Sequence, residues 1–97
     1  MNAYHVGQQV RVWVQFADID GYAVDPTVIT LKVVDPTGAL ETWVYETDPA
    51  VTRAAGGQYY VEFIPTRPGT WRYRWESSGA LTAATEGAFQ VLRSSFT

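Results

Sequence analysis

The chain has 97 residues, enough for one domain with a real core, since folding at this size hides roughly 60–70% of the unfolded surface. It contains no cysteine, which excludes disulfides and thiolate metal sites, and its formal charge of −3 offers no basic surface for nucleic acid. No apolar run approaches the roughly 20 residues of a membrane span, and the opening Met-Asn-Ala-Tyr-His-Val-Gly lacks the basic-then-apolar order of a signal peptide. These features fit a chain made and folded in a cytoplasm. Stability must come from packing, and 4 Trp, 6 Tyr and 4 Phe supply much of the material.

Tyr4 to Val6 reads as an edge strand ahead of Gly7. Val10, Val12, Val14 and Phe16 share one parity, with Arg11, Trp13 and Gln15 between them; this period of two predicts a half-buried strand. It ends at Asp18-Ile19-Asp20-Gly21, a turn composition. Asp25-Pro26 introduces a strand over Thr27 to Val34, where Ile29, Leu31 and Val33 alternate with Thr30 and Lys32. Asp35-Pro36-Thr37-Gly38 is a strong turn, because Pro presets φ and Gly accepts φ > 0. Leu40 to Tyr45 is the returning strand. Trp43 and Tyr45 share a parity, but the pattern does not say which side is buried.

Residues 46–57 form a longer connection that has room for a short strand at Val51 to Arg53. Tyr59, Val61 and Phe63 then fall on one parity, as do Trp71, Tyr73 and Trp75. Pro65 and Gly69 punctuate the gap, so strands are expected at 58–64 and 70–76. Ser77 to Thr85 reads as a small-residue loop, with Ala80 to Thr85 the one place for a helical turn. A last strand follows at 87–92, and residues 93–97 form a tail from which Phe96 can dock. Six or seven short strands with regular turns predict an antiparallel all-β sandwich.

These motifs carry a family likeness. Gly57-x-Tyr59-x-Val61-x-Phe63-x-Pro65, then Pro68-Gly69-Thr70-Trp71-x-Tyr73, resembles the signature of immunoglobulin-like repeats such as filamin domains and bacterial immunoglobulin-like modules. Val6-Gly7-x-x-Val10-x-Val12, Asp18-x-Asp20-Gly21-x-x-Val24-Asp25-Pro26 and Asp35-Pro36-x-Gly38 fit the opening half. Over roughly residues 4–92 the chain resembles small immunoglobulin-like proteins of tailed bacteriophages and prophages that accompany head and head–tail genes. The resemblance implies an immunoglobulin-like sandwich of about seven strands, in a single domain over 1–97. It also implies a non-enzymatic virion component, made in the host cytoplasm, whose partners are phage structural proteins of the capsid or head–tail region. A homo-oligomer fits as well. The alternatives are an adhesion or carbohydrate-binding module and an assembly factor absent from the finished particle.

Candidate chemistry is sparse. Asp18, Asp20 and Asp25 surround a turn, and Asp-x-Asp-Gly can begin an oxygen-ligand calcium site. The bidentate Glu that an EF-hand loop needs at its twelfth position is missing, so a plain turn is the expectation. His5 is the one histidine and has no identifiable triad or metal partner. Ser77, Ser78, Ser94 and Ser95 lack a nucleophile-elbow context, and Gly56-Gly57 precedes a strand rather than the helix of a phosphate loop. No cofactor and no enzyme activity are expected.

The outward parities are the candidate contact surface. Opposite the buried sides lie Trp13 and Arg11 on one strand and Tyr60, Glu62 and Ile64 on another. In an immunoglobulin-like sandwich these strands share a sheet, so either Trp13, Tyr60 and Ile64 form one exposed apolar patch rimmed by Arg11 and Glu62, or Trp13 is a single exposed aromatic covered by neighbouring side chains or by the tail. Arg72 and Arg74, with Lys32, make a basic stripe on the other sheet. It is either a docking stripe for an acidic partner or a solvated face with cross-strand ion pairs.

Overall fold

The computed structural model describes residues 2–93. The expected tail beyond Arg93, including a docked Phe96, lies outside the described residues. Eight strands form among the described residues: β1 (Asn2–His5), β2 (Val10–Gln15), β3 (Val28–Val34), β4 (Leu40–Val44), β5 (Val51–Ala55), β6 (Gln58–Phe63), β7 (Gly69–Ser78) and β8 (Ala83–Leu92). Their orders are β1-β8-β7-β3-β4 in one sheet and β2-β6-β5 in the other. The two sheets pack face to face as an immunoglobulin-like sandwich, with no helix among the described residues. One strand more than predicted appears, because both the N-terminal segment and Val51–Ala55 find partners.

Alternation decides which faces meet. Val10, Val12, Val14 and Phe16 point inward from β2 and its extension, against Tyr59 and Val61 of β6. The opposite layer contributes Ile29, Leu31 and Val33 from β3, Trp75 from β7, and Phe89 and Val91 from β8. Each such side chain contributes roughly 1.5–3 kcal/mol by leaving water. Val12 lies opposite Val61 and Val14 opposite Tyr59, so a slip of β2 by one residue would turn its inward set to solvent. Trp43 and Tyr45 turn inward too, and pack on Phe63 and Tyr59. Phe63, Trp71 and Tyr73 are half-buried rather than sealed, since the three-stranded sheet is narrower than the five-stranded one.

Three local expectations need correction. β1 runs parallel to β8, so the sandwich is not wholly antiparallel. The loop expected over Ser77 to Thr85 shrinks to residues 79–82, because β7 extends to Ser78 and β8 begins at Ala83. No helical turn forms over Ala80 to Thr85; Ala83, Ala84 and Thr85 pair with Ser77, Glu76 and Trp75. Small residues carry little apolar period of their own, and the ladder offered by β7 decides their state. Gly79 makes the turn at φ 88, tight against Thr27, where a Cβ would collide.

The Asp35–Gly38 turn forms as predicted. Asp35 accepts hydrogen bonds on Oδ1 from the Thr37 and Ala39 N–H groups and the Thr37 hydroxyl, and Gly38 takes φ 91. These bonds, led by the Thr37 hydroxyl, hold the Asp35 carboxyl below its ordinary pKa.

Candidate functional site

Pairing of β2 with β6 brings Trp13 and Tyr60, two of the three apolar residues expected in the patch, side by side. Trp13 lies opposite Tyr60, and Arg11 lies opposite Glu62. Trp13 is 62% exposed. The Arg11 guanidinium carbon sits 4.2 Å from the Tyr60 ring centroid, a cation–π contact, while its Nη2 lies 3.3 Å from Glu62 Oε2. Gln9 Nε2 donates to the same Glu62 oxygen at 3.3 Å. The result is a flat exposed indole beside a tyrosine whose face is already covered by a cation. Ile64 is also exposed, at 56%, but it follows the last residue of β6, where the chain turns into the buried Pro65. There it lines a cleft with Phe63 and Trp71.

The cations of the other sheet are mostly committed. Lys32 Nζ lies 2.8 Å from Glu76 Oε1, and Arg74 bridges Glu76 at 3.0 Å and Glu86 at 2.7 Å. Glu86 and then Glu76 raise the Arg74 pKa, while Lys32 and then Arg74 lower that of Glu76. Arg72 makes no ion pair among the described residues. It borders an open groove with Val34, Leu40 and Ala88. The stripe is therefore a cross-strand ion network with one free arginine at its end.

The three aspartates of the β2–β3 connection do not converge. Asp18 Oδ1 accepts the Asp20 and Tyr22 N–H groups at 3.0 Å each, which closes the turn under the Ala17–Ala23 bridge. Asp25 is committed elsewhere. Its carboxylate takes two bonds from Arg53, one from the Gly57 N–H and one from the Tyr59 hydroxyl. Among the described residues no three His, Asp or Glu side chains gather in a way that could hold a metal ion. The turn accounts for Asp18, and the bonds to Arg53, Gly57 and Tyr59 account for Asp25.

Two features escape a reading by parity. The Asp25 hub joins residues 28 to 34 positions apart, and nothing local marks it. The β2–β3 turn also presents Ile19, 100% exposed, and Tyr22, 72% exposed, on a loop braced by Asp18. An apolar residue between two aspartates in a turn was the available signal.

No family model and no curated protein matches this chain. Among solved structures it is similar to the crystal structure of a protein from Bacteroides vulgatus assigned as a glycoside hydrolase. The TM-score is 0.63 at 15% identity, over 97% of this chain and 17% of that protein. At such identity the likeness is one of fold: this chain has the size and shape of one sandwich unit within a much longer protein.

Proposed function

We propose that this chain is a non-catalytic interaction protein: a component of a phage particle that attaches to capsid or head–tail proteins through the outer face of the β2–β6 pair. The observation that carries it is the exposed Trp13 set opposite Tyr60, with Arg11 stacked on that ring. Trp, Tyr and Arg dominate the energetics of protein contacts, and here all three stand together on one rigid sheet. Burying a ring such as Trp13 removes roughly 150–250 Å² from water. Repetition over a symmetric particle multiplies a modest contact, since each attached copy faces a high local concentration of sites. The phage assignment rests on the motif resemblance over residues 4–92.

Mass spectrometry of purified particles tests it. The expected result is this chain at a stoichiometry tied to capsid or tail symmetry. Particles that contain none of it would leave the assembly-factor alternative and sink the virion reading.

A second reading, a carbohydrate-binding unit of a longer chain, is favoured by the flat exposed indole of Trp13 and by the fold neighbour's assignment. Trp43 is not available for it, because that ring faces inward and stacks on Phe63. Glycan-array binding that disappears in Trp13→Ala, together with absence from particles, would select this reading.

A further inference from the structure

A second recognition feature lies away from the Trp13 face, at the end of the sandwich where β3 turns into β4 and β6 passes to β7. A cleft of about 360 Å³ opens there between the two sheets. Phe63, Ile64 and Thr66 line it from β6 and the chain that follows, and Trp71, Asp35 and Glu41 from the five-stranded sheet and its β3–β4 turn. It exists because β6 stops at Phe63 while β3 and β4 run on to their hairpin, so the narrower sheet leaves the inner face of β4 uncovered. Glu41 lies opposite the buried Val33, and so stands on the core-facing parity of an edge strand.

We infer that this cleft receives an arginine side chain from a partner protein. Two carboxylates and two aromatic rings are what a guanidinium recognises, since it can stack on a ring face while its N–H fork meets a carboxylate. The charges fit. Asp35 uses Oδ1 for its own turn, and its Oδ2 has only Arg67 Nε at 3.8 Å. The Arg67 guanidinium is thus paired with Asp35 at the cleft, and Glu41 is the carboxylate there without an ion pair among the described residues. The rings are preset: Trp71 donates its indole N–H to the Arg67 carbonyl at 3.0 Å and stacks on Phe89 at an interplanar angle of 10°. Little ordering is left for binding to impose.

Arg72 of a second copy is a poor occupant: it lies on a strand flanked by β3 and β8, and a broad sheet cannot enter a cleft of this size. The inference extends the reading of the chain as an interaction protein but does not need the Trp13 face or a phage particle. Its test uses neither.

The test is an NMR titration of the whole chain with Gly-Arg-Gly and, separately, Gly-citrulline-Gly, which keeps the shape and loses the charge. The arginine peptide should shift the Trp71 indole N–H and the amides of Glu41, Ile64 and Thr66 in a saturable way. Citrulline should bind roughly tenfold more weakly or less, as expected when a charge-assisted bond is lost. Glu41→Gln should weaken the arginine peptide to a similar degree while its spectrum stays folded. Added salt should weaken it further. Equal binding of the two peptides, an unchanged Glu41→Gln, or no shift at millimolar peptide would each overturn the assignment. The same shifts appearing on concentrating the protein alone would identify a second copy as the occupant and overturn the assignment to a foreign partner.

Discussion

Tyr59 donates its hydroxyl hydrogen to Asp25 at 2.8 Å, across 34 positions of sequence. Arg53 and the Gly57 N–H complete the shell around that carboxylate. The β5–β6 hairpin is thereby tied to the chain entering β3, at the end of the sandwich opposite the acidic cleft.

The tie should make stability depend on pH at both extremes. Arg53 first, then Gly57 and Tyr59, hold the Asp25 carboxyl well below the usual carboxylate range. Its folded pKa lies under its unfolded one, so its contribution is complete above about pH 4 and fades as pH falls further. Burial first, then Asp25, pushes the Tyr59 hydroxyl from 10.0 up to about 12. Its contribution is complete below the unfolded value and is lost as pH rises through about 12. Urea midpoints measured across pH check both limbs. Asp25→Asn should flatten the acid limb, and an acid limb unchanged in that variant would assign it to other carboxylates.

Gly57 and its neighbour Gly56 should respond in opposite ways to the same methyl group. A Cβ on Gly57 would strike the Phe16 carbonyl, and the residue sits at φ 72. Gly57→Ala should therefore cost about 1–3 kcal/mol, the usual range for overpacking. At Gly56 the nearest atom is an Arg53 guanidinium nitrogen 3.8 Å away, so Gly56→Ala should stay within about 0.5 kcal/mol. Chemical denaturation of the two variants gives the comparison.

Trp75 is the largest side chain in the sealed core, and its Nε1 has no hydrogen-bond partner among the described residues. Trp75→Ala should cost about 3–5 kcal/mol, a large share of what holds a domain of this size together. Trp75→Phe should cost clearly less. It leaves a smaller void and removes a donor that burial has left unsatisfied. Equal losses in the two variants would overturn this account of the site.

On the outer face, Trp13→Ser and Tyr60→Ser should leave stability within about 0.5 kcal/mol of the parent, as for most surface changes. On the proposed virion reading, attachment to particles should fall sharply in both. A thermal scan and a particle-binding assay on the same preparations separate the two effects. A loss of several kcal/mol in stability would instead make these residues structural.

Period-two alternation was enough to assign β2, β3 and β6 and the buried sides of each. Val12, Leu31 and Val61 can satisfy their neighbours in only one orientation, and that constraint is written locally. The Asp35–Gly38 turn was legible for the same reason: its hydrogen bonds close within five residues. The outward placement of Trp13 opposite Tyr60 followed from parity once the two strands were assigned to one sheet.

What parity could not reach depends on partners distant in sequence. Ala83 to Thr85 became strand because β7 offered them a ladder. Trp43 and Tyr45 turned inward because β6 lay across from them. Lys32 and Arg74 lost their freedom to Glu76 and Glu86, while Arg72 kept its own. The cleft at Glu41 arose from the unequal widths of two sheets, a quantity that no single strand encodes. The sequence by itself determined the layers and the faces of this protein, since burial acts on each strand's own pattern. The tertiary structure decided which charges stay free and where the surface opens, because those depend on which strand ends beside which.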